Sequence, residues 1–396
     1  MQALLTCKRR ADNADNLRRR LNLNAFGYES NFDSSADNGG FAVHFRRRFE
    51  GGGGGIYRRE VKFDEKFSRG LLMNTKDLTV AEIAERIIGG DRLQTSDDVN
   101  ILLDAELAEV QRGAGAIQKK FCGNHIDLCT IINGKSGRCG ENCKYCAQSI
   151  CHKTGVDEYD FLPREKIYNA ALADEKAGVN RFSVVTSGRA LSGADFEKAL
   201  DTYQFMRGKL KIEFCASHGI LKAEQLKKLR EVGVTGYHHN IETSRRFFPQ
   251  ICTSHTYEDR INTIKLAQAA GLKVCSGGII GMGESWRDRL DIAFALAELK
   301  IKSIPINVLN PVKGTALENR PPLEPNEILR TVAIFRFINP AANIRLAAGR
   351  KFLPDKGASA FLYGASATIT GDMLTTTGTT IKGDFEILDK LGLTNK

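Results

Sequence analysis

The chain has 396 residues, 42% of them hydrophobic, and a formal net charge of +10, which suits one large domain with an appendage. No run approaches the roughly 18 consecutive apolar residues that span a bilayer, and ten cysteines in a long chain without a secretory signal read as thiols of a reducing, cytoplasmic compartment. Residues 61–396 carry 46 Lys/Arg against 40 Asp/Glu, a balance too mild to predict a nucleic-acid partner.

Residues 1–72 differ from the rest. They hold arginine triplets at 18–20 and 46–48, a polar Asn/Ser/Asp stretch and the run Gly51–Gly55. Such a segment buries too little apolar surface to fold alone, so a disordered or non-native leader is expected. Six acidic residues by Glu50 argue against an organellar transit peptide, and Met73 offers an alternative start. Residues 73–126 read as an N-terminal helical extension. Thr79 is a candidate N-cap with Glu82 three residues on, followed by apolar Ile83, Ile87 and Ile88.

From 127 the pattern becomes regular. Strands are expected at 127–132, 181–186, 211–216, 235–241, 273–280, 304–309, 343–348 and 367–370. Helices are expected at 164–177, 195–207, 222–232, 257–270, 286–300, 325–338 and 384–391, with 354–366 glycine-broken. Eight strand-then-helix units predict a parallel (β/α)8 TIM-type barrel over 127–396. A doubly wound open sheet would place a glycine-rich phosphate turn after its first strand, and none is present.

In such a barrel, active residues collect at the C-terminal strand ends. After the first strand comes Ser136-Gly-Arg-Cys-Gly-Glu-Asn-Cys-Lys-Tyr-Cys-Ala-Gln-Ser149. Its C-x3-C-x2-C spacing puts Cys139, Cys143 and Cys146 on one loop, where a cubic cluster would keep one iron without a protein ligand. Ferredoxin clusters use four cysteines and structural zinc sites complete a tetrahedron, which here would need Cys151 or His152. Tyr145 offers an aromatic face to a purine. The motif resembles the radical S-adenosylmethionine superfamily.

A second set of thiols lies within strands: Cys215 in Lys-Ile-Glu-Phe-Cys-Ala-Ser and Cys275 in Leu-Lys-Val-Cys-Ser-Gly-Gly. Each alone reads as a small buried hydrophobe. Together with Tyr237-His-His-Asn-Ile-Glu-Thr-Ser244, Lys273-Val-Cys-Ser-Gly-Gly-Ile-Ile-Gly-Met-Gly-Glu284 and Pro305-Ile-Asn-Val-Leu309, they make the chain resemble the biotin synthase family from about residue 75 to the C-terminus.

That resemblance implies conversion of dethiobiotin to biotin. Cys139, Cys143 and Cys146 would hold a 4Fe–4S cluster that binds and reductively cleaves S-adenosylmethionine, and an auxiliary cluster deeper in the barrel would give up the sulfur. It also implies a flavodoxin- or ferredoxin-type electron donor and a homodimer. Arg260 suits the methionine carboxylate, its alternative being a solvated helix face. Asn240 and Glu242 suit ribose hydroxyls, and Asn307, with Asn240, suits the cyclic urea. His238 and His239 read as satisfied barrel histidines.

One departure stands out. The family's auxiliary cluster is a 2Fe–2S unit on three cysteines and an arginine, here Cys215, Cys275 and Arg345. The cysteine expected on the second strand is Ser183, whose alkoxide forms far less readily than a thiolate. Cys129, on the first strand, stands where the family carries a lumenal serine, so the expectation is a thiol moved from strand two to strand one, with Cys129, Cys215, Cys275 and Arg345 around a cluster of altered geometry or nuclearity and Cys122 a weaker candidate. The alternative leaves Cys129 as packing and Ser183 or water completing the site. A hydrogenase maturase, the pyrrolysine-pathway mutase and a non-catalytic cluster carrier are the competing functions.

Overall fold

The structure is a computed structural model that describes residues 28–33, 41–47, 57–63, 75, 78–372, 374 and 378–395. The chain divides into two units, Met1–Met73 and Asn74–Lys396. In the first unit, β1 (Tyr28–Asp33), β2 (Phe41–Arg47) and β3 (Tyr57–Phe63) form an antiparallel sheet in that order. The composition-weighted reading expected no element there. Short period-two stretches are the reason it missed them: Phe41, Val43 and Phe45 alternate along β2, and Phe41 and Val43 pair in register with Phe63 and Val61. The other leader residues, Met73 among them, lie outside the described set.

The second unit begins with the expected cap. Thr79 accepts from the Glu82 N–H while Glu82 accepts from the Thr79 N–H at 2.7 Å, a reciprocal box starting the helix Val80–Ile88. Such a cap contributes about 1 kcal/mol. Its apolar face, Ile83, Ala84 and Ile87, is buried. The next long helix, Leu107–Cys122, packs closely on the helix Pro325–Ile338 through Gly113, where an added Cβ would lie 2.6 Å from Phe337.

Eight parallel strands then close into a barrel: β4 (Asp127–Lys135), β5 (Arg181–Thr186), β6 (Glu213–Ser217), β7 (Gly236–His238), a fifth strand in two pieces, β8 (Lys273–Cys275) and β9 (Gly278–Ile280), β10 (Ser303–Val308), β11 (Asn343–Leu346) and β12 (Ala367–Ile369). β12 returns to β4, pairing Ile369 with Cys129, and β10 pairs with β11, which completes the ring. Helices Arg164–Lys176, Gly193–Met206, Ala223–Glu231, Tyr257–Ala269, Trp286–Glu298, Pro325–Ile338 and Ile381–Lys390 fall within three residues of their expected starts. The glycine-broken segment holds one short helix, Ala358–Leu362.

Two strands depart from their expected extent because the site interrupts them. The strand expected over 235–241 ends at His238, and the chain turns through Glu242 at φ +66°. The fifth strand breaks at Ser276-Gly277. A Cβ at Gly277 would sit 1.9 Å from the Pro305 carbonyl oxygen and one at Gly278 2.7 Å from that of Glu242. Only glycine lets these backbones approach. Among the described residues, no helix is long and apolar enough to cross a membrane.

Candidate active site

β4 delivers the chain to the cysteine loop at the C-terminal barrel face. Gly137 (φ +73°) and Arg138 (φ +51°) turn it back sharply, and Gln148 fixes the turn, its Oε1 accepting from the Gly137 N–H and its carbonyl from the Cys139 N–H, both at 3.0 Å. The Cys146 N–H donates to the Cys143 carbonyl at 3.0 Å. With the backbone polar groups satisfied locally, Cys139 and Cys143 are buried and Cys146 half-buried. Burial pushes the Cys146 thiol up to about 11.

Beside the loop lies a charged cluster. Arg260, on the helix Tyr257–Ala269, is buried rather than solvated. Its Nη1 donates to the Asn240 carbonyl at 3.0 Å and pairs with Glu242 at 3.2 Å, and its Nε donates to His255 Nε2 at 3.0 Å. Asn240 bridges two elements, its Nδ2 donating to Glu242 at 3.4 Å and its Oδ1 accepting from the Gly277 N–H at 3.0 Å. Tyr145 packs on Phe247, Ile251, Met282, Leu309 and Leu317. The charge of Glu242, with Tyr145 and Cys143, outweighs burial and holds the Arg260 guanidinium above its ordinary range. The structure therefore brings the four candidate cofactor-binding residues to the cysteine loop.

Beneath them the barrel encloses a cavity of about 810 Å³ whose lining includes Cys129, Cys215, Cys275, His238, Asn307 and Arg345. Register explains the convergence: Ser183 pairs with Cys215, His238 with Cys275, and Cys275 with Ser303, and laterally paired residues of neighbouring parallel strands face the same side. Gly236 makes room for a thiol, since a Cβ there would meet Cys215 Sγ at 2.6 Å. Asn307 is held from both ends, Nδ2 donating to the Gly278 carbonyl at 3.3 Å and Oδ1 accepting from the Ala348 N–H at 3.2 Å.

Arg345 is the most constrained lumenal side chain. Its Nη2 donates to Asp127 Oδ1 at 2.5 Å, its Nη1 to the Asp127 and Thr368 carbonyls at 3.1 and 3.0 Å, and its Nε to Ser303 Oγ at 3.3 Å. Asp127 also takes Arg181 at 2.8 Å. Burial opposes the Asp127 charge, but Arg345 and Arg181 outweigh it and hold the carboxyl below its ordinary range. Burial pushes Cys215 up to about 12 and Cys129 higher still. At Cys275 burial is outweighed by the His238 hydrogen bond and charge and by Arg345, bringing the thiol down to about 7.

Residues 135–296 match the radical SAM superfamily, and residues 305–394 match the biotin and thiamin synthesis associated domain. The biotin synthase of Alkaliphilus metalliredigens is 55% identical over 315 residues, covering 80% of this chain and 99% of that protein. That of Clostridium beijerinckii is 56% identical over 311 residues, covering 78% and 98%. The chain belongs to the biotin synthase family. Among solved structures, methylornithine synthase aligns with a TM-score of 0.69 at 18% identity, covering 79% of this chain and 97% of that one. A maturase of the FeFe-hydrogenase also aligns at 0.69 and 18%, covering 82% and 76%. At that identity both show the fold alone.

As a member of the biotin synthase family within the radical SAM superfamily, the chain uses a 4Fe–4S cluster and S-adenosylmethionine, and its residues fit them: three thiols on one loop, two buried and one half-buried, beside a carboxylate, an amide and a guanidinium. The lumen also fits a further thiolate-bound group. It presents three thiols, and the buried Ser183 Oγ has no hydrogen-bond partner among the described residues.

Three features of this chain escaped the sequence reading. Cys252 lies with its Sγ 3.6 Å from Cys143 Sγ and 3.3 Å from His255 Nδ1, while Glu141 bonds the same His255 nitrogen. Cys143, Cys252 and His255 are the one set of three such ligand atoms found within 4.8 Å of one another among the described residues. The three-residue spacing of Cys252 and His255 was the available signal. Asp127 was visible only as the polar start of a strand. The pairing of His238 with Cys275 had no sequence signal, because strand register creates it.

Proposed function

We propose that this member of the family inserts sulfur into dethiobiotin, with Cys139, Cys143 and Cys146 as ligands of the 4Fe–4S cluster and Cys129, Cys215 and Cys275 as ligands of an auxiliary iron–sulfur cluster. The carrying observation is the vertical arrangement: a three-thiol loop at the barrel mouth opens onto a cavity walled by three further thiols. When bound, the first cluster supplies the electron that cleaves the sulfonium, and the second supplies sulfide.

The protein's own residues do the rest. Arg260 and Glu242 form a buried charged pair at the mouth, so a methionine carboxylate meets a guanidinium already fixed by His255 and the Asn240 carbonyl. Tyr145 gives an apolar and aromatic wall for the adenosyl group. Asn307 and Asn240, both immobilised by backbone hydrogen bonds, present amides to the substrate urea at little entropic cost. The enclosing barrel keeps water from a reactive carbon radical. The basic chain suits an acidic flavodoxin- or ferredoxin-type donor, and free cysteines suit a reducing cytoplasm. A homodimer is part of the same reading.

Support for the thiol exchange is positional: Cys129 lies on β4 and lines the same cavity as Cys215, Cys275 and Arg345. Anaerobic reconstitution with iron and sulfide, followed by assay of biotin, iron and 5′-deoxyadenosine together, tests the function; uncoupled 5′-deoxyadenosine without biotin would overturn it. Mössbauer spectra of Cys129→Ala and Ser183→Ala test the ligands. Loss of the auxiliary signal is expected in the first and its retention in the second; the reverse pattern refutes the exchange.

A further inference from the structure

Two stretches far apart in the sequence are stitched together at the barrel mouth. In the cysteine loop, Asn142 Oδ1 accepts from the Thr253 and Ser254 N–H groups at 3.0 and 3.1 Å, and the Asn142 N–H donates to Ser254 Oγ at 3.1 Å. The Lys144 N–H donates to the Ile251 carbonyl at 3.0 Å, and Ser254 Oγ donates to Glu141 Oε2 at 2.7 Å. The segment after Ile251 is thus fixed to the loop that carries Cys139, Cys143 and Cys146. Its next side chain is His255.

His255 is buried, with its ring edge-on to Phe248 at a centroid separation of 5.6 Å. Its two nitrogens have different partners. Nε2 lies 3.0 Å from Arg260 Nε, whereas Nδ1 faces Glu141 Oε2, with Cys252 Sγ 3.3 Å away. Arginine only donates, so Nε2 must offer its lone pair and the ring proton sits on Nδ1, where the Glu141 carboxylate accepts it. A carboxylate on one imidazole nitrogen fixes the tautomer and the ring orientation.

Two guanidinium nitrogens of Arg260 are already committed. Nε goes to His255, and Nη1 to the Asn240 carbonyl at 3.0 Å and Glu242 at 3.2 Å; Nη2 has no hydrogen bond among the described residues. Resting on the assignment of Arg260 to the methionine carboxylate, we propose that Glu141 and His255 are a positioning pair for that contact. Glu141 holds His255 as an acceptor, and His255 turns the guanidinium so that Nη2 meets the carboxylate of S-adenosylmethionine. Selectivity for that carboxylate is therefore set from the cluster loop, by a residue between Cys139 and Cys143.

Equilibrium binding to the anaerobically loaded full chain tests this with two ligands, S-adenosylmethionine and its decarboxylated analogue, which keeps the adenosyl, sulfonium and amino groups. His255→Leu removes a hydrogen bond to a charged group, so S-adenosylmethionine should bind roughly ten-fold more weakly while the analogue stays within about two-fold of wild type. His255→Gln, whose amide oxygen can accept from Arg260 Nε, should restore most of the affinity. Glu141→Ala, which leaves the buried ring in place, should show the same carboxylate-dependent loss. Because the two residues act in series, Glu141→Ala/His255→Leu should be no worse than His255→Leu alone. Equal weakening of both ligands, additive losses in the double variant or no rescue by glutamine overturns the proposal. So does loss of iron from Glu141→Ala, which would make Glu141 a residue that folds the loop. Arg260→Met separates the two readings: if it keeps the preference for S-adenosylmethionine over the analogue, Arg260 does not meet the carboxylate, whereas a preference lost there and kept in His255→Leu refutes the pair alone.

Discussion

Asp127→Asn isolates the charge that fixes the lumen. Asparagine keeps the shape and one carbonyl acceptor but removes the negative charge from between two arginines. Breaking a buried pair by removing one partner costs about 3–5 kcal/mol, because the other charge is left buried and uncompensated. The two partners are not equally exposed to that loss. The Arg181 side chain is 22% exposed and keeps Glu213 at 3.0 Å, whereas that of Arg345 is 3% exposed and has no other carboxylate within salt-bridge distance among the described residues. The stranded charge is therefore Arg345 alone, and the low end applies, about 3 kcal/mol. At roughly 2 °C per kcal/mol for a chain of this size, melting should fall by about 6 °C. Thermal unfolding followed by circular dichroism, on cluster-free and anaerobically loaded protein, reads it. Combining Asp127→Asn with Arg345→Met should recover much of the loss, the non-additivity that marks a direct pair. Melting within about 1 °C of wild type would refute the account of Arg345 as a locked cation.

Arg260→Lys should weaken S-adenosylmethionine binding by roughly ten-fold or more, because lysine cannot hold His255, the Asn240 carbonyl and Glu242 together while meeting a carboxylate bidentately; equilibrium binding to reconstituted protein measures it, and unchanged affinity would remove Arg260 from the site. Gly277→Ala should yield little soluble protein, since its Cβ would meet the Pro305 oxygen at 1.9 Å, whereas Gly140→Ala, with open space around it, should express normally. Asp288 is buried, but hydrogen bonds from Ser244 and Ser285 and the Arg246 charge outweigh that and hold its carboxyl below the ordinary range. Its stabilisation relative to Asp288→Asn should therefore be full above about pH 4 and shrink as pH falls through the depressed value; a difference that grew on acidification would reverse the sign. A chain beginning at Met73 should load both clusters and keep its activity, and failure to fold would give the leader a structural role.

The barrel was legible because each half of its pattern answers to local physics. Helix faces such as Ile83, Ala84 and Ile87 repeat at the period that buries them, and β-branched runs such as Arg181-Phe-Ser-Val-Val-Thr186 can be buried in a parallel sheet. The cysteine loop was legible because its three cysteines lie within eight residues of one another. What stayed hidden depends on closure. Cys252 reaches Cys143 across 109 positions, and Asp127 reaches Arg345 across 218; no periodicity encodes such partners, and the second pair meets when β12 returns to β4. The same closure gives the lumen its chemical logic. A lumen lined by three thiols and two arginines would be strongly self-repelling in positive charge without a carboxylate between the guanidiniums, and Asp127 at the start of β4, two residues before Cys129, bonds both of them. Aspartate there fixes the Arg345 guanidinium against β4, so the strand that carries Cys129 also carries the group that sets the charge of the lumen.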